Sequence, residues 1–268
     1  MVEEHPGYRP RRERRTGRAH RDEAEQPARR DSARASAPAK PRFDVISAFG
    51  ELLISAGLVV ALFAFWQVYV TDWQVANAAD KQVAQVEDLF GAVPNRISTD
   101  ERTSPPPAVS PVSYGQLMGA LHVPRWNQMV IPVREGTGHD VLDTGAAGHY
   151  PTTALPGEIG NFSVAAHRRS YGSNFRRIDV LREGDPVVME TKDAWLVYHV
   201  TRYRIVAPTD GQVVLPVPDQ PGVAPTQRLM TMTTCHPEYG NWQRYIVHLE
   251  LHHWVPRNTG IPKELAEG

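Results

Sequence analysis

Cysteine is almost absent from this chain: Cys235 is the single one in 268 residues. One thiol cannot close an intramolecular disulfide, so no covalent staple holds the fold. Such a thiol is buried and inert, paired between chains, or reactive. No His-Glu-x-x-His run occurs either, which with one cysteine leaves little basis for a zinc centre. Residues 1–43 have almost no large apolar side chains. They carry twelve Lys/Arg against seven Asp/Glu, a net +5, whereas the whole chain is −1. That arm cannot bury enough surface to offset its ordering entropy, so we read it as a disordered basic arm.

Basic residues are then missing from 43 to 80, and Lys81 is the first to return. Inside that gap lies VISAFGELLISAGLVVALFAFWQVYV, residues 45–70, with Glu51 as its one charge. About 20 apolar residues span a bilayer core as a helix. A buried core helix is rarely apolar on every face for this length. Trp66, Tyr69 and Trp73 cluster at the far end, where an interfacial aromatic belt belongs, and arginines crowd the near side. The expectation is a single-pass anchor over 44–72, with a cytoplasmic N-terminus and an extracytoplasmic remainder. Ala-Asn-Ala at 76–78 offers a signal-peptidase alternative, which the long apolar run and long arm oppose. With a membrane segment next to it, the basic arm is not read as a nucleic-acid site.

Residues 74–93 have a helical, partly amphipathic pattern on Val75, Val83, Val86, Leu89 and Phe90. TSPPPAVSP at 103–111 is a stiff extended spacer, so 73–113 reads as a stalk. From about 114 the chain turns to short runs rich in Val, Ile, Thr and Tyr. These are 129–133, 161–167, 186–191, 195–206, 228–235 and 243–255, broken by Gly, Pro and Asp. The spacing predicts an all-β domain over 114–256, a closed barrel or a sandwich, with a short helix within 174–185 and a tail at 257–268.

Cys235 ends a strand-like run, TMTTC, before the turn residues HPEYGN, and the chain then re-enters WQRYIVHLEL. Alternation puts Tyr245, Val247, Leu249 and Leu251 on one face, and Arg244, Ile246, His248 and Glu250 on the other. A hairpin would return Arg244 to the rim that holds Cys235. A guanidinium there favours a thiolate or donates to an oxyanion. His167 also closes a strand-like run, NFSVAAH. A thiol with an imidazole is the minimal acyl-transfer apparatus. Spacing alone does not show that the two meet, and an exposed edge arginine or a core cysteine remains open on these residues.

GHYPTTALPGEIGNFSVAAHRRSYGSNFRRIDVLREGD and TMTTCHPEYGNWQRYIVHLEL resemble the sortases, and most the class E sortases of actinobacteria. The signature Thr-Leu-x-Thr-Cys stands here as Thr231 to Cys235, with Met232 for Leu. The histidine motif, usually Gly-His-Arg, reads Ala166, His167, Arg168. Arg244 takes the place of the family arginine. The resemblance covers about 114–256. It implies a closed sortase-type β-barrel with short helices, and a cysteine transpeptidase that cleaves a C-terminal Leu-Pro-x-Thr-Gly or Leu-Ala-x-Thr-Gly signal between Thr and Gly. Cys235 would be the nucleophile, His167 the general acid and then base, and Arg244 the oxyanion or backbone donor. The implied partners are secreted proteins bearing the signal and a peptidoglycan-precursor amine.

Tyr150, Thr234 and His236 are further candidates for contact with the signal peptide. His248, His252 and His253 were weighed for zinc; 248 and 252 share a strand face but 253 points away, so no metal and no cofactor is expected. No convincing calcium cluster is seen. Two other readings are an L,D-transpeptidase-like wall cross-linker, whose Ser-x-Gly-Cys context is absent, and a non-enzymatic anchored β-domain that binds a wall component.

Overall fold

The computed structural model describes residues 45–66 and 71–266. The basic arm read over 1–43, and residues 67–70 of the apolar run, lie outside the described residues. Contacts divide the chain into residues 1–49 and 50–268, and the second unit holds the whole β-structure. Helix α1 (Val45–Phe65) buries none of its side chains and has a mean hydropathy of 2.2 over its most apolar window, long and apolar enough to cross a membrane. Helix α2 (Thr71–Phe90) follows.

Eight strands close a barrel. They are β1 (Leu117–Val123), β2 (Met129–Glu135), β3 (Ala147–His149), β4 (Gly160–Ala165), β5 (Pro186–Glu190), β6 (Ala194–Val206), β7 (Arg228–His236) and β8 (Gln243–Pro256). The order round the barrel is β1-β2-β3-β4-β7-β8-β6-β5. Closure leaves no sheet edge unpaired. Two neighbouring pairs are parallel, β2 with β3 and β4 with β7; the rest are antiparallel. A short helix α3 (His139–Leu142) sits between β2 and β3.

The interior is filled by alternate side chains from every wall, among them Leu121, Ile131, Phe162, Val164, Leu196, Met230, Met232, Val247 and Leu249. The expected two-faced pattern of β8 holds: Tyr245, Val247, Leu249 and Leu251 all join this core. Six of the eight strands fall where the residue pattern placed them. β1 and β3 were not foreseen. β1 carries Gly119 where a Cβ would run into the Glu190 carbonyl, and the register slips between Leu117 and Gly119, which breaks the alternation. β3 is three residues long. The short helix expected within 174–185 is only a 3-10 turn over Ile178–Val180.

The stalk reading needs correction for residues 81–113. In α2, Val86 is buried and Gln82 donates from Nε2 to the Thr144 carbonyl, while Leu89, expected on the apolar stripe, is exposed. Ile97 bridges Ile261, Arg102 bridges Trp254, and Trp254 Nε1 donates to the Ser104 carbonyl at 2.8 Å. These residues are laid along the barrel. Trp254 holds the start of the proline-rich segment against the barrel.

Candidate active site

β7 and β8 form the hairpin, and Cys235 stands directly opposite Arg244 in its register. Opposed residues of an antiparallel pair share a face and lie ~4.5–5.5 Å apart. Tyr245 and Thr234 are the next pair inward. Tyr245 belongs to the core, so Cys235 and Arg244 lie on the outer face. The thiol is partly exposed, which excludes burial within the barrel.

The parallel pairing of β4 with β7 supplies the third group. Ala165 lies beside Thr233, and the Ala166 N–H donates to the Thr233 carbonyl at 3.2 Å. His167 is two residues beyond Ala165, as Cys235 is two beyond Thr233. The two chains therefore reach the same rim in step. A parallel neighbour 68 residues away in sequence does what local spacing cannot. The carbonyl of His167 accepts from Phe175 N–H at 3.0 Å, which ties the following loop back to it.

Thr234, expected to contact substrate, is buried, and its hydroxyl donates to the Ala166 carbonyl at 2.7 Å. It therefore fixes the backbone just before His167 and does not face the groove. Tyr150, the candidate for contact with the sorting signal, directly follows β3. Its hydroxyl bonds Thr233 Oγ1 at 2.9 Å, and it lines a cavity of about 140 Å³ with Val206, Val213, Thr233, Arg244 and Ile246. The 3-10 turn Gly211–Val214 between β6 and β7 forms one wall of this cavity. Arg244 Nη1 donates to the carbonyls of Asn241 and Gln243, so its guanidinium is held by its own hairpin.

His236, beside the thiol, accepts at Nδ1 from Arg168 Nη1 at 2.8 Å. Burial first, and then the Arg168 cation, push its pKa below the ordinary histidine value. A ring that accepts at Nδ1 is neutral, with its proton on Nε2. Arg168 is itself buried, and its other arm pairs with Asp179 at 2.7 Å.

One residue at this site was missed by the sequence reading. Asp143 Oδ1 lies 2.7 Å from His167 Nε2. Asp143 falls just after α3, in HDVLDTG, and nothing in that spacing points to a histidine 24 residues later. The three histidines weighed for zinc do not converge. His248 Nδ1 bonds Thr231, whereas His252 and His253 meet each other at 2.9 Å. Among the described residues, the side chains whose donor atoms lie within 4.8 Å of one another are His139, Asp143 and His167.

The sequence profile of the sortase domain matches residues 121–252. Sortase SrtE2 of Streptomyces coelicolor is 35% identical over 222 residues, covering 80% of this chain and 85% of that protein. Sortase SrtE1 of the same organism is 34% identical over 252 residues, covering 90% and 67%. Among solved structures, the SrtA sortase from Actinomyces oris is 46% identical with a TM-score of 0.60, over 61% of this chain and 95% of that one. Sortase E1 from Streptomyces coelicolor, solved with a tripeptide in its active site, is 38% identical with a TM-score of 0.53, over 56% and 97%. With this barrel and identity of this extent, the chain belongs to the sortase family of transpeptidases and stands among the class E sortases.

Proposed function

We propose that the chain is a membrane-anchored cysteine transpeptidase that cleaves a Leu-Ala-x-Thr-Gly or Leu-Pro-x-Thr-Gly sorting signal between Thr and Gly. Cys235 Sγ attacks the Thr carbonyl carbon, forming a C–S bond and a tetrahedral oxyanion. The C–N bond to Gly then breaks, and His167 gives its proton to the departing amine. An amine of a peptidoglycan precursor attacks the thioester, His167 takes its proton, and the thiolate leaves. Arg244 swings from its hairpin carbonyls to hold the substrate backbone or the oxyanion. The secreted protein ends amide-linked to the wall precursor. No cofactor enters this sequence.

The observation that carries the reading is the register: Cys235 opposite Arg244, and β4, which leads into His167, paired alongside β7 up to Ala165 and Thr233. The cavity beside Arg244, lined by Tyr150, Val206 and Ile246, has the size and polarity for one apolar side chain of the signal. A tripeptide occupies the active site of the sortase E1 structure, which supports peptide binding at this place. α1 serves as the anchor, with the barrel outside and the basic arm on the cytoplasmic side by the positive-inside rule. Secreted substrates would then meet the enzyme at the outer membrane surface.

The test uses the full chain in detergent micelles with both signal peptides and an amine acceptor. Cys235→Ala and His167→Ala are expected to abolish transpeptidation, and Arg244→Ala to lower kcat/KM by ~10²–10³-fold, as for loss of an oxyanion donor. Turnover surviving Cys235→Ala would overturn the mechanism. A non-enzymatic binding domain predicts a thiol that is inert to alkylation and no cleavage of either peptide.

A further inference from the structure

Asp143 touches neither the thiol's strand pair nor the cavity beside Arg244, yet its carboxylate oxygen lies 2.7 Å from His167 Nε2. We propose that Asp143 is the positioning residue of His167, fixing its tautomer so that Nδ1 is the nitrogen that exchanges protons in the reaction. The inference rests on the role of His167 proposed above.

A carboxylate only accepts, so the nitrogen facing it must carry the proton. Nε2–H donates to Asp143, and Nδ1 keeps the lone pair in the neutral ring. The ring is also held by its face: Tyr171 packs against it with centroids 5.1 Å apart, at 32°. One edge and one face together leave the imidazole a single orientation.

The backbone that carries the carboxylate is held firmly. The Asp143 N–H donates to the His139 carbonyl and closes α3, whose Val141 side chain is buried. Thr144 Oγ1 donates to the Val141 carbonyl at 2.7 Å. Gln82 of α2 donates to the Thr144 carbonyl at 3.0 Å, and Asn174 Nδ2 donates to the Gly145 carbonyl. The turn that carries Asp143 is thus tied to α2 on one side and to the loop after His167 on the other. A supporting shell of this kind is what keeps a reacting group within its productive geometry, and a misplacement of ~1 Å can cost ~10²-fold.

His139 is the other group near this oxygen, at 3.5 Å, but its side chain is 90% exposed. The 2.7 Å separation between His167 and Asp143 is a charge-assisted hydrogen-bond length. A cation shared by His139, Asp143 and His167 is the competing explanation, and the experiment separates the two.

Asp143→Asn keeps the shape, but its amide can donate to Nε2 and so drive the proton to Nδ1. In the full chain, with chelator present, Asp143→Asn is expected to lower kcat by ~10²-fold with KM within about 2-fold of the parent. Asp143→Glu should recover part of that loss. The readout independent of turnover is the ¹⁵N spectrum of histidine-labelled protein at about pH 8, above the ordinary histidine pKa, with His167 assigned by its loss in His167→Gln. The parent should show a protonated Nε2 and a lone-pair Nδ1, and Asp143→Asn should shift population to Nδ1–H. Unchanged kcat, unmoved ring nitrogens, or a parent that loses activity to chelator and regains it with zinc would each overturn the proposal. Because the nitrogen readout needs no catalysis, it stands apart from the test of the transpeptidase reading, which fails if the parent cleaves neither peptide or if His167→Ala or Cys235→Ala stays active.

Discussion

Buried polar side chains on the outer face of β4, β7 and β8 form a chain whose protons can be traced atom by atom. Asn161 Nδ2 donates to the Val213 and Leu215 carbonyls, so its Oδ1 is left to accept from Thr231 Oγ1 at 2.8 Å. Thr231 has then used its proton and must accept from His248 Nδ1 at 2.9 Å. His248 Nε2 is buried without a partner, so a second proton there would find no acceptor and the ring is neutral. Burial first, then the Arg202 cation, push its pKa down to about 4. Above pH 6.5 both folded and unfolded chains keep this ring neutral. As pH falls from 6.5 towards 4 the unfolded chain takes up the proton first, so stability falls, and below about 4 the loss levels off. The full loss is about 3 kcal/mol. Chemical denaturation between these pH values should show a shallower decline for His248→Gln than for the parent, and equal slopes would refute the assignment. This network pins the 3-10 turn that walls the cavity beside Arg244, so the same residues hold the groove in shape. Arg168 plays a matching part at the rim. The sequence marked it as the third letter of a histidine motif, but only the fold showed it reaching His236.

Among the elements, β1 shows what a residue pattern misses. Its Gly119 permits β1 to lie close against β5, where Ala120 pairs with Glu190. Gly119→Ala is expected to lower stability by about 1–3 kcal/mol, the range for overpacking a closed site, and a denaturant midpoint matching the parent would show that the strands can part without strain. The long strands were legible because β6, β7 and β8 are long runs rich in Val, Ile, Thr and aromatic residues. β3 was not, because three residues of Ala, Gly and His carry no period; the parallel contact with β2 makes it a strand. The same holds for the site. Cys235 and Arg244 were legible as a hairpin pair because short turns join neighbours in sequence. His167 joined them in the sequence reading through family motifs, and the physical link, a parallel pairing of β4 with β7, is long-range. Asp143 had neither route.

At the scale of the whole molecule, the segments before and after the barrel complete it. Val188, Trp195, Val197 and Val255 form a second apolar cluster on its outer wall, covered by Val93, Ile261 and Leu265. The tail adds two polar ties: Trp195 Nε1 donates to the Gly260 carbonyl at 3.0 Å, and buried Arg257 pairs with buried Glu190 at 2.8 Å. Ending the chain at residue 256 removes Arg257 and leaves the Glu190 charge in the wall with only His122 beside it. Such a truncation should cost about 3–5 kcal/mol by denaturant unfolding, the scale for breaking a buried ion pair from one side. A truncated chain as stable as the parent would make the tail a loose appendage. Residues 95–104 run antiparallel to part of β8 and bridge the tail, so the segment between α2 and the barrel is part of the domain's outer wall.

Composition and local order determined much of this by themselves. A long apolar run with one charge reads as a membrane-length helix, short runs rich in Val, Ile, Thr and Tyr read as strands, and a lone cysteine closing such a run before turn residues is a candidate for a rim. These are one-dimensional properties, set by solvent and by the period of the backbone. The tertiary structure alone decided which side chains meet across long stretches of chain. It set Asp143 against His167, Arg168 against His236, and Trp254 against the proline-rich segment. Each of those contacts depends on barrel closure, which sets distances in space that no spacing along the sequence encodes.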